Sequence, residues 1–68
     1  MAARVQTFVK LSPEQRERLK EMAFEINDAG LDVLGPVLNR DGEPSMSDVI
    51  RTLLVLGARE AGLSFPED

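Results

Sequence analysis

A chain of 68 residues with no cysteine, histidine, tyrosine or tryptophan has little chemistry to draw on. Disulfide staples and most structural metal sites are excluded, thiol and imidazole catalysis go with them, and the remaining carboxylates, lysines, arginines and serines form no constellation that resembles an active site. A net charge of −4 also works against nucleic-acid binding by overall attraction, because that affinity comes from neutralising phosphates with Lys and Arg.

These exclusions point to a non-enzymatic protein that calls for no metal and no cofactor. A single domain of this size buries only about 60% of the surface its unfolded chain exposes. With the other staples removed, association with a second copy is what remains to stabilise it. No apolar run approaches the roughly 20 residues of a membrane span, and the first residues lack the apolar core of a signal peptide, so a cytoplasmic location is expected.

The first element is "VQTFVKLSP", Val5 to Pro13, where apolar and polar residues alternate as in a half-buried strand. A strand is expected over about 4–11, and no later stretch offers an equally clear partner for it. Alternation puts Val5, Thr7, Val9 and Leu11 on one side and Arg4, Gln6, Phe8 and Lys10 on the other. The first side is mostly apolar and should face the core. Charge separates here as well: residues 1–11 carry Arg4 and Lys10 and no acid, whereas residues 12–32 carry six acids against Arg16, Arg18 and Lys20. An acidic helix is compatible with DNA binding if it points away from the phosphates.

"SPEQ" then reads as a helix start, with Ser12 as N-cap, Pro13 at the first helical position and Gln15 placed for a capping box. Leu19, Met22, Ala23 and Ile26 form one apolar stripe, and "NDAG" closes a helix expected over about 13–29, with Gly30 as the cap. The connector, about 30–46, carries five aliphatic side chains but is interrupted by Gly35-Pro36, and a short helical turn packed over the core is expected. Asp41-Gly42 marks a tight turn. Asn39, Asp41 and Glu43 faintly suggest a calcium loop, but the glycine comes two positions too early, which favours a solvated turn.

"SMSDVIR" opens a second helix, about 47–61, capped by Ser45 or Ser47. Val49, Ile50, Leu53, Leu54, Gly57, Ala58 and Ala61 make a broad apolar face, and Val55 and Leu56 extend it most of the way round. So apolar a helix must be covered on several sides. Gly62 closes it, leaving a short tail over 62–68.

Strand, capped amphipathic helix, connector and Ser-capped apolar helix, in that order, resemble the ribbon-helix-helix family of DNA-binding proteins. "RVQTFVKLSPEQRERLKEMA" and "PSMSDVIRTLLVLGA" carry the resemblance, the second through its S-x-S-[DE]-[VLI]-[IL]-R opening. It implies a mainly α fold with one short strand: an intertwined homodimer whose two strands pair into an antiparallel β-ribbon that enters the major groove. Gln6, Phe8 and Lys10 would then contact bases, although Phe8 could equally fold over the ribbon's edge. Arg4, Ser45, Met46, Ser47 and Arg51 would contact phosphate, with Arg51 equally able to pair with Asp48. The dimer core would comprise Val5, Thr7, Val9, Leu11, Leu19, Met22, Ile26, Val49, Ile50, Leu53 and Leu54. The connector is longer than in many members; a lid over a small core is favoured over a docking surface.

The function so implied is sequence-specific binding of double-stranded DNA by a homodimer, as a transcriptional repressor or a plasmid or phage regulator, with further assembly of dimers on the operator. Two other readings compete. An antitoxin with a toxin partner is weakened, if the chain is full length, by the short stretch after Ala61, and a DNA-independent helical interaction module draws support from the acidic balance.

Overall fold

The computed structural model describes residues 8–66. Two helices, α1 (Pro13–Ala29) and α2 (Met46–Glu60), make up its regular structure. Among the described residues there is no β-strand, so the fold is all α, a small helical domain, and not the expected ribbon-helix-helix with its β-ribbon. Alternation explains the difference. It marks a stretch that can bury one side, but a strand exists only where a second backbone supplies hydrogen bonds. Phe8, Val9 and Leu11 have no ladder partner among the described residues and remain exposed. Arg4, Val5, Gln6 and Thr7, the rest of the expected strand, lie outside the described residues.

Local chemistry fixes both ends of α1. Ser12 Oγ accepts the Gln15 backbone N–H at 3.1 Å, and the Ser12 N–H donates to Gln15 Oε1 at 2.9 Å, a closed capping box with Pro13 just inside it. At the other end Gly30 adopts the left-handed conformation, φ 69°, and the Leu31 N–H returns to the Ile26 carbonyl. Replacing Ser12 with Ala should cost about 1 kcal/mol of stability, since the Gln15 N–H loses its acceptor and the reciprocal bond loses its anchor. Urea denaturation monitored by helicity measures it, and an unchanged midpoint would show that solvent serves the helix start equally well.

The connector forms no further helix, but one turn is present, closed by the Gly35 N–H donating to the Asp32 carbonyl at 3.0 Å. Beyond it a tight loop sets Leu38 and Pro44 opposite each other in an isolated antiparallel bridge. The Asn39 N–H donates to the Glu43 carbonyl at 2.8 Å and the Ser45 N–H to the Val37 carbonyl at 2.8 Å. Pro44 thus occupies the pair position that needs no N–H, where its missing donor costs nothing. Asn39 Oδ1 accepts from the N–H groups of Asp41 and Glu43, and Gly42, at φ 78°, closes the turn. The carboxamide is thereby spent on the backbone, which fits a solvated turn.

This loop drives Val37 into the centre of the molecule. Ala23 and Ile26 of α1, Val37, and Val49 of α2 form the buried cluster, with Leu19, Leu38 and Leu53 packed around it. Thr52 and Val55 are also buried. The connector thus contributes Val37 to the core and packs Leu38 against it.

Outside that core, α1 presents charge. Arg18 reaches Glu25 at 2.7 Å and Glu21 at 3.3 Å, and Lys20 reaches Glu17 at 3.2 Å. The hydrogen bond to Glu25, and then its charge, raise the Arg18 pKa. Such exposed pairs add little stability; they partly neutralise an acidic face.

Candidate interaction surface

Two helices and a loop cannot cover a helix as apolar as α2. The arc of α2 that meets the core holds Val49, Thr52 and Val55, spaced three residues apart. Its neighbouring arc, with Ile50, Leu53 and Leu54, is left partly uncovered. Together with Val9, Leu11 and Leu19 these side chains line an open cleft of about 260 Å³, walled almost wholly by carbon. Val9 is 61% exposed and Leu54 48%.

Of the residues expected in a dimer core, Ile26 and Val49 are buried within the chain itself, and Leu19, Met22, Ile50 and Leu53 are half-buried. Val9, Leu11 and Leu54 are exposed at the cleft, while Val5 and Thr7 lie outside the described residues. The expected DNA contacts separate in the same way. Phe8, 90% exposed, and Lys10 stand in the stretch that supplies Val9 and Leu11 to the cleft. Gln6 and Arg4 are outside the described residues.

At the start of α2 the cap residue is Ser45, which makes no side-chain cap. Its hydroxyl donates instead to Asp48 Oδ2 at 2.7 Å, and Arg51 pairs with the other carboxylate oxygen. Asp48 sits where the helix dipole favours an anion. Met46 is half-buried and Ser47 exposed beside it, and Arg51 is already engaged with the Asp48 carboxylate.

Val37, Thr52 and Val55 are structurally central and were not singled out as core positions by the sequence pattern. A lone valine in an irregular loop gives no periodic signal, and a threonine on an otherwise apolar helix reads as a break in the face. Among the described residues no helix is long and apolar enough to cross a membrane, and no group of acidic side chains could hold a metal ion.

No protein-family model matches the chain, and comparison with curated proteins and with solved structures finds no match.

Proposed function

We propose that this chain is a non-catalytic, cytoplasmic DNA-binding protein that works as a homodimer and regulates transcription. The observation that carries the reading is the adjacency of two surfaces in one short stretch. Val9 and Leu11 line an uncovered apolar cleft, and Phe8 and Lys10, alternating with them, stand in solvent. Covering the cleft with a second copy would bring two such stretches onto one assembly, and a two-fold assembly suits an operator with repeated or palindromic half-sites.

Charge distribution supports the same assignment. The amino-terminal eleven residues hold Arg4 and Lys10 without an acid, while the carboxylates of α1 lie on its exposed face and are partly paired there. Gln6 can bond two ways to adenine and Lys10 can reach guanine or phosphate, with Phe8 able to lie on a thymine methyl. Arg4, Ser45, Met46, Ser47 and Arg51 are the candidate phosphate contacts, Arg51 only if it leaves Asp48.

Selection of bound sequences from random duplexes, with molecular mass measured on the same preparation, tests the proposal. A recovered sequence motif and a dimeric mass are expected. Lys10→Ala should lower the slope of log affinity against log salt by about one for each phosphate that the lysine no longer neutralises. Substituting Gln6 should instead shift base preference by roughly 1–3 kcal/mol. Unchanged slope and preference would remove the amino-terminal stretch from the DNA-binding surface.

A second reading has an observation in its favour. The cleft and the net charge of −4 suit a module that binds another protein and no nucleic acid. It requires that duplex DNA fail to retain the chain even at low salt.

A further inference from the structure

We infer that the Asp41–Gly42 linkage is a site of spontaneous isoaspartate formation, and that Asn39 governs its rate by holding the surrounding loop closed.

The reaction needs no enzyme and no cofactor. The Gly42 backbone nitrogen attacks Cγ of the protonated Asp41 carboxyl. A new N–Cγ bond forms as the Cγ–OH bond breaks, and the hydroxyl leaves with the amide proton as water. A second water then reopens the cyclic imide at either carbonyl. One route restores aspartate; the other leaves the main chain running through the side-chain carboxyl, an isoaspartate of unchanged mass. Of the Asp and Asn residues in the sequence, Asp41 is the one followed by glycine. Elsewhere a Cβ on the following residue crowds the attacking nitrogen, whereas glycine leaves it open. Both residues of the pair are exposed, which gives water access to the imide.

In the closed loop the attack is blocked. The Gly42 N–H, whose proton must leave, donates to the Asn39 carbonyl at 2.9 Å. Asn39 Oδ1 accepts from the Asp41 N–H at 2.9 Å and from the Glu43 N–H at 3.1 Å, which pins the chain on both sides of the reacting peptide. Asp41 is the third residue of the turn so closed, where the common turn types hold ψ at about 0° and the next nitrogen eclipses the residue's own nitrogen. An imide ring needs that nitrogen eclipsed with Cβ instead. The rotation breaks the bonds that Asn39 supplies, so loop opening precedes reaction and the observed rate follows the fraction open.

Conversion also acts on the core. Isoaspartate adds one main-chain carbon between the two arms joined by the Asn39 N–H to the Glu43 carbonyl and the Ser45 N–H to the Val37 carbonyl, each at 2.8 Å. The added carbon takes the arms out of register and releases Val37 from its place beside Ala23, Ile26 and Val49.

Ageing the folded protein in mildly acidic buffer, then mapping its peptides with an endoprotease that cuts before aspartate but not before isoaspartate, reads the rate at position 41. Wild type should convert at least about tenfold more slowly than the same chain unfolded in urea. Asn39→Ala, deprived of both side-chain hydrogen bonds, should convert roughly tenfold faster than wild type. Asn39→Asp keeps an acceptor oxygen and should stay near the wild-type rate. So should Ser12→Ala, which weakens the start of α1 and leaves the loop untouched. Helicity shows which variants are folded; if Asn39→Ala is not, the rates of wild type, Asn39→Asp and the unfolded chain still decide. Equal rates in wild type and folded Asn39→Ala, or in wild type and the unfolded chain, would overturn control by Asn39. A Ser12→Ala rate raised as far as that of Asn39→Ala would assign control to global unfolding and overturn it as well. Absence of isoaspartate from the aged, unfolded chain would overturn the site itself.

Discussion

Ile26→Ala is expected to leave the chain largely unfolded at room temperature. Ile26 is 3% exposed and sits in the cluster that joins α1, the connector and α2, beside Ala23, Val37 and Val49. Truncating a buried isoleucine costs about 2–5 kcal/mol, the higher figures applying where the surroundings cannot collapse into the gap. Collapse is obstructed here, because Val37 is held in place by the Leu38–Pro44 bridge and its two flanking hydrogen bonds. A core of so few side chains rarely supplies more than about 3–5 kcal/mol in total, so the expected destabilisation is of the same order as the stability. Thermal melting followed by circular dichroism should show a broad, low transition or none. A sharp melt displaced by only a few degrees would mean that the core lies elsewhere or that the subunit interface alone holds the helices together.

What could be read from the residues depended on how local the signal was. The start of α1 was legible because Ser12, Pro13 and Gln15 act within one helical turn, and its end because only a residue such as Gly30 takes a left-handed backbone at little cost. The Asp41-Gly42 turn was legible for the same reason.

Legibility ended where a second element had to be known. The alternation in Val5 to Leu11 describes one side of a strand and cannot supply the other, and the described part of that stretch finds no ladder among the described residues. For the connector, Gly35-Pro36 predicts an interruption, but the Leu38–Pro44 bridge depends on two residues six apart meeting across a turn. The apolar breadth of α2 had a related effect. A helix hydrophobic nearly all round does not reveal which arc faces its own core. The structure turns Val49, Thr52 and Val55 inward and leaves Ile50, Leu53 and Leu54 at the cleft.

That division of α2 yields the sharpest expectation for the proposed homodimer, at Leu54. In the single chain this side chain is 48% exposed, so Leu54→Asp should disturb the folding of one subunit only modestly, as substitutions away from buried features generally do. Between the paired subunits of the proposed homodimer the same change would place a carboxylate in an apolar, water-excluded setting with no cation among the residues that line the cleft. Burying an unpaired charge is costly enough that the assembly avoids it, either by keeping the group protonated or by coming apart. Near neutral pH, dissociation should therefore increase by about a hundredfold or more, which corresponds to roughly 3 kcal/mol. Sign follows from burial: desolvation raises the carboxyl pKa in the dimer above its value in the separated chains, so the variant dimer should recover as pH falls and weaken as pH rises. Equilibrium sedimentation from acid to neutral pH reads both effects, and wild type should show no comparable dependence at this position. Under the function proposed above, duplex DNA binding should fall in parallel, since one subunit would present half of the contacts. A Leu54→Asp protein that remains dimeric at neutral pH and binds DNA as wild type does would show that the uncovered arc of α2 serves something other than pairing.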